Sequence, residues 1–295
     1  MSGIVGPTVV RGRIPCRRPV SVLRHIAKML FNFTLAPVAK VTPWGEPGDH
    51  YVHWFSLTEG QYWMEVGKDQ LFEYSEQVRA TPDATRYVDY YVVRLYEDIL
   101  EMLPFVLEPV PGSLIPYLSG ETGHRWNAKF ESWWESDDYP RDPRNSDLVD
   151  LCIELTSNRG LDSGYLQQAP DIAMWSDESL VHIAWDNRNR MFDGVPAWSA
   201  LYGTYALPRE EFVNEVTSFH SRLMDQMAER IEQVRAGALP PNVRIEQQRL
   251  PGLQQGHELR QSLGEKALTA PPSRTDWQAV LSAVQEVERM QERKS

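Results

Sequence analysis

Cysteine is almost absent: the 295-residue chain has two, Cys16 and Cys152, and neither sits in a metal-ligand or redox spacing. That argues against a disulfide framework and fits a reducing, cytoplasmic location. No stretch approaches the roughly 18 apolar residues of a membrane-spanning helix, so no membrane contact is expected. "MLFNFTLAPVA" follows a basic lead in the manner of a secretory signal, but Asn32, Thr34 and Pro37 interrupt it and the lead is too long. Phosphate loops, dinucleotide fingerprints, zinc-protease helices and calcium loops are all missing. "GLDSG" (160–164) misses the nucleophile-elbow pattern by one position. The seven histidines (His25, His50, His53, His124, His182, His220 and His257) share no ligand spacing on one element. Neither a metal nor a cofactor is expected, and no residue is nominated as catalytic.

What the chain has in excess is acid and tryptophan. Its formal net charge is −11. Residues 1–28 hold six basic side chains and no acidic one, so the remainder carries 24 basic against 41 acidic residues. A body that acidic repels phosphate backbones, which argues against nucleic acid as its partner, and it attracts basic proteins. Nine of the ten tryptophans fall between Trp44 and Trp198. Tryptophan is enriched in cores and at binding hot spots alike, so the count alone selects neither.

Periodicity predicts an α+β fold: antiparallel β-hairpins packed against long amphipathic helices, with a C-terminal helix on a linker. Residues 1–28 read as a basic, disordered extension, 29–237 as the main domain, 238–274 as a polar linker and 275–293 as the C-terminal helix. "LFNFTL" alternates and reads as an edge strand ended by Pro37. In "VHWFSLTEGQYWMEVG" (52–67) a turn at 58–61 would pair Leu57 with Tyr62, Phe55 with Met64 and His53 with Val66. Trp54, Trp63 and Glu65 then share the other face, with the indoles expected in the core. Thr81 and Pro82 look like the start of a helix running through Leu103. "ETGHRW" (121–126) reads as a loop before a helix carrying Trp126, Phe130, Trp133 and Trp134.

A second helix covers "SDLVDLCIELTSNRG", with Cys152 on its apolar face. "DIAMWSDESLVHIAWD" (171–186) is a hairpin with a polar turn at 176–179. "PAWSALYGTYALP" is one more strand. After Pro208 comes the best-patterned helix, with Phe212, Val216, Phe219, Leu223, Met227, Ile231 and Val234 in one stripe and Gly237 as its stop. Thr275 and Gln278 suggest a capping box for the last helix, which carries Trp277 and Leu281.

Three functional readings follow. The first is a non-catalytic protein-binding domain, an immunity- or antitoxin-like inhibitor of a basic partner. It would use Trp133 and Trp134 as aromatic anchors, with Glu131, Glu135, Asp137 and Asp138 as an acidic rim. The second is an enzyme with a dispersed site, a pocket drawn from His53, Trp54, Trp63, Glu65, His124 and His182. The third is a subunit of a larger assembly that forms through the C-terminal helix, using Trp277 and Leu281, with a homo-oligomer as one such assembly.

The order of "PWGEPGDHYVHWFSLTEGQYWMEVG", "VDYYVVRLYEDILEMLPFVLEPVP", "LDSGYL" and "VPAWSALYGTYALPREEFVNEVTSFHSRLMDQMAERI" resembles an uncharacterised bacterial domain family. The resemblance spans about residues 29–236, roughly 70% of the chain. That family has no assigned activity, so the resemblance implies no site residue.

Overall fold

A computed structural model describes residues 29–46, 49–134, 143–241, 243 and 249–292, and the fold is α+β. The basic extension expected at 1–28 lies outside the described residues. Strand β1 (Phe31–Leu35) pairs antiparallel with β2 (Glu59–Val66) and with no other strand among the described residues, the edge position its alternation predicts. The other side of β2 takes β3 (Asp69–Leu71) and, after the short helix α1 (Glu76–Arg79), β4 (Val88–Tyr91). Helix α2 (Val92–Val106) follows directly.

Two expectations fail in this region. The hairpin turn is Gly67-Lys68 rather than 58–61, and Gly67 supplies the left-handed φ of 66° that a tight turn needs. Residues 56–58 form a single 3-10 turn, so His53, Trp54 and Phe55 lie outside the strand. The helix expected from Thr81 begins at Val92, because Val88–Tyr91 pairs with β2 first. A run of β-branched and aromatic residues fits a pleated sheet better than a first helical turn.

Helices α3 (Gly120–Trp134) and α4 (Pro143–Thr156) come next. "ETGHRW" is therefore helical and not a loop. The hairpin at 171–186 forms as expected: β5 (Ile172–Ser176) pairs with β6 (Leu180–Asp186). A small hairpin of β7 (Met191–Phe192) and β8 (Val195–Pro196) precedes β9 (Tyr202–Pro208), which completes a β5-β6-β9 sheet.

Helix α5 (Arg209–Arg235) buries its whole predicted stripe and stops at Gly237, where φ is 86°. Seven such side chains contribute roughly 10–20 kcal/mol of gross burial, opposed by ordering entropy. The same helix covers the β1 edge: Glu215 accepts from the Leu30 N–H, while Arg222 and Arg230 donate to the carbonyls of Phe31 and Ala36. An edge covered in this way is not free to pair with another chain.

The segment expected as a linker contains α6 (Leu250–Thr269), which packs across α2 and α5 with Leu253 and Gly264 buried. Helix α7 (Trp277–Glu292) docks on α3 and α4, burying Val280, Ala283, Val284 and Val287. Its cap is Asp276, whose carboxylate accepts from the Ala279 N–H, and not Thr275. The Thr275 hydroxyl is donated to Glu108 instead.

The core has two parts. One lies between the two sheets and α2, α5 and α6. The other is built by α3, α4 and α7 against the β5-β6 hairpin, where Cys152 is buried. Trp277 and Leu281 pack onto this second part, so the face nominated for oligomer assembly is used within the chain.

Candidate functional site

Residues of the β5-β6-β9 sheet that face α3 and α4 form a row across three strands: Ala173 opposite Ala184, and Ala184 opposite Thr204. Small side chains in that row leave the sheet and the helices apart. One register step along, Gly203 stands opposite Trp185, and a Cβ there would lie 2.3 Å from the indole. The space left open is a cleft of about 510 Å³.

Helix α3 forms one wall and serves two purposes. Trp126, Phe130 and Trp133 point into the second core. His124, Asn127 and Glu131, on a stripe at i, i+3 and i+7, line the cleft. Across from them are Asp171 and Asp186, the residues that end the open side of the β5-β6 hairpin. The Asp186 N–H donates to the Asp171 carbonyl at 3.1 Å. Arg190 completes the charged lining, which thus holds three carboxylates and one guanidinium.

These groups are in different states. Asp186 is committed: Arg188 donates to both its carboxylate oxygens, at 2.9 and 2.6 Å, and holds it below the usual carboxylate range. Arg188 itself lies over the Tyr202 ring at 4.5 Å. His124 Nδ1 is 3.9 Å from Asp186 Oδ2, and the imidazole is half exposed. Asp171 is different. Crowding by the cleft walls raises its pKa, with Arg190 opposing and Asp186 adding to the shift. Among the described residues, neither the Asp171 carboxylate nor the Arg190 guanidinium has a side-chain hydrogen bond or ion pair. At Asp171 and Arg190 the cleft therefore holds a carboxylate and a guanidinium with acceptor and donor capacity unspent.

Of the residues nominated from the sequence, His124 and Glu131 line this cleft. Trp133 is corrected to a core residue, 7% exposed, and is not a surface anchor. The Trp134 side chain, Glu135, Asp137 and Asp138 lie outside the described residues. The dispersed pocket does not converge. Trp54 is buried under Arg260, 4.7 Å from ring centre to guanidinium carbon. His53 sits edge-on to Trp44 at 4.2 Å, and burial first, then Arg260, lowers its pKa. Trp63 stacks on Tyr87 at 4.2 Å, on the same face of β2 as Glu65. His182 bonds Asp177 at 2.8 Å and stacks on Trp175. It shares a sheet face with Asp186, but the four strand steps from 182 to 186 set them roughly 13 Å apart.

Asp171, Asp186 and Arg190 were missed, although a signal existed for the first two. Once "DIAMWSDESLVHIAWD" is read as a hairpin, its first and last residues must sit side by side.

Away from the cleft, one carboxyl on α2 has its pKa pushed strongly upward. Asp98 on α2 accepts from the Tyr165 hydroxyl at 3.0 Å, and Tyr62 donates on to Tyr165 at 3.5 Å. Burial pushes the Asp98 pKa up to about 7; Asp162 and Glu97 add to the shift, and Tyr165 and Arg94 oppose it. Folding thus keeps a proton that the unfolded chain releases near 3.8. Between those values the native state binds more protons, so stability falls as pH rises towards 7 and levels off above it. Asp98→Asn is expected to be more stable than the parent at pH 8. Its advantage shrinks as pH drops to 5, read as urea midpoints across that range.

A family model described as a family of unknown function (DUF5984) matches residues 30–283. The match extends past the motif resemblance, through α6 and into α7. No curated protein and no solved structure matches the chain.

Proposed function

We propose, from the premise that this chain belongs to the DUF5984 family of unknown function, that it is a binding protein whose cleft receives a basic side chain of a partner protein. The role is non-catalytic, in the manner of an immunity- or antitoxin-like inhibitor. The observation that carries this reading is Asp171, a carboxylate without a side-chain partner among the described residues, in a cleft where carboxylates outnumber guanidinium groups. A carboxylate with no side-chain hydrogen bond or ion pair of its own gains charge-assisted bonds from an incoming cation. The net charge of −11 adds long-range attraction for a basic protein.

The test is a tagged pull-down at low and high salt, with mass spectrometry of what is retained, using the parent chain and Asp171→Asn. A basic protein held at low salt and lost from the variant supports the reading. With that protein purified, Kd is expected to weaken at least ten-fold, about 1.4 kcal/mol. Retention of nothing specific by the parent chain overturns it.

One observation favours an enzyme instead: an imidazole, His124, stands 3.9 Å from the Asp186 carboxylate at the cleft wall, the two group types of a general-base pair.

A further inference from the structure

A second concavity lies on the far side of the β7–β8 hairpin. Asn189 and Arg190, just ahead of that hairpin, line the cleft, while Phe192 and Asp193 within it line a groove of about 660 Å³. The groove floor is half-buried apolar surface from Tyr74, Val78 and Phe192. Tyr74 is fixed there by stacking on Trp198 at 5.0 Å, with the Phe192 ring 6.4 Å away. Around the floor stand three exposed carboxylates, Asp83, Asp89 and Asp193. Among the described residues, no lysine or arginine lines the groove. Arg79 and Arg86, which flank it in sequence, face Glu73 at 3.7 and 2.8 Å. Partial desolvation at the groove edge raises the Asp89 pKa, and Glu59 raises it further, as expected for a carboxylate short of counter-charge.

We propose that this groove is a second docking site for the basic partner, taking arginine side chains whose stems lie on Tyr74, Val78 and Phe192 and whose guanidinium groups reach Asp83, Asp89 and Asp193. The partner's charge rests on the function proposed above, and the complementarity of an all-acidic rim selects the occupant. An aliphatic stem covers apolar surface while its charged head stays at the wet edge. Arginine suits the site better than lysine, because its planar fork stacks on aromatic rings and bonds a carboxylate at two points. One partner segment crossing the hairpin engages cleft and groove together, which multiplies two weak affinities.

The experiment uses the full chain and a fluorescein-labelled pentapeptide of alternating glycine and arginine, followed by anisotropy at low salt. A matched peptide carries diaminobutyrate in place of arginine, keeping the charge and shortening the stem. Binding at least five-fold weaker for the matched peptide, and at least five-fold weaker in both Phe192→Ala and Asp193→Asn, is the expected result. Glu229→Gln, an exposed carboxylate on α5 outside both the cleft and the groove, is expected to stay within two-fold of the parent. A loss confined to Asp171→Asn places the peptide in the cleft, which overturns the groove and leaves the cleft reading standing. Equal binding by every variant, equal binding of both peptides, or no binding at all also overturns it.

Discussion

Glu108→Ala is expected to destabilise the protein by about 3–5 kcal/mol, the cost of leaving a buried charge without its partner. The Arg159 guanidinium is 0% exposed and lies 3.1 Å from Glu108. It donates to the Glu154 carbonyl at 2.8 Å and sits over the Trp277 ring at 4.8 Å. Burial lowers the Arg159 pKa, and Glu108 is the main force opposing that. Glu108 also accepts from the Thr275 N–H and hydroxyl, at 2.6 and 2.7 Å. One carboxylate thus ties the end of α2 to the turn after α4 and to the lead-in of α7. Its removal is expected to loosen α7 first, read as faster tryptic cleavage after Arg274 and a lower urea midpoint. The double replacement Glu108→Leu with Arg159→Met removes both charges, and is expected to cost less than either single change.

Gly264→Ala is expected to cost about 2–4 kcal/mol, although alanine is intrinsically the better helix former by about 1 kcal/mol. A Cβ at position 264 would lie 2.3 Å from both Tyr96 Oη and His220 Nδ1. Those two atoms are hydrogen-bonded at 2.7 Å, and both side chains are buried. Neither ring has room to swing away, since Tyr96 is packed edge-on to Phe219. Helix α6 must lift, or the buried hydrogen bond must break. Gly252, in the same helix, has open space where a Cβ would go. Gly252→Ala is therefore expected to be neutral or stabilising by up to about 1 kcal/mol. The opposite signs of two identical changes, measured by urea unfolding, test the docking of α6 rather than its propensity.

Gly264 also explains why α6 was unreadable as a helix. Its buried face includes Leu253, Gly256 (against Trp54), Arg260 (over the Trp54 ring) and Gly264, rather than a row of large apolar residues. Small residues allow close approach, and close approach is a property of two surfaces, which hydrophobic periodicity along one strand of sequence does not register. Composition pointed to a linker because glycine, proline and glutamine are common in linkers as well. The misplaced 58–61 turn has a similar origin. Gly60 sits where its absent side chain would meet the Thr34 carbonyl at 2.2 Å, so that glycine serves strand pairing and not chain reversal.

The sequence by itself determined the α+β class, the edge strand, the 171–186 hairpin, the full stripe of α5 and its glycine stop, and the lack of any long apolar span. Each of these is a periodic or local signal, set by residues within a few positions of one another. Only the tertiary structure decided that Trp133 is core, that 250–269 is a docked helix, and that the cleft lies between His124, Asp171, Asp186 and Arg190. Those depend on which faces meet. One face of α3 packs Trp126, Phe130 and Trp133 into a core that includes Trp175, while His124, Asn127 and Glu131 face the cleft. That choice is made by residues about 40 to 60 positions away along the chain, by packing rather than by pattern.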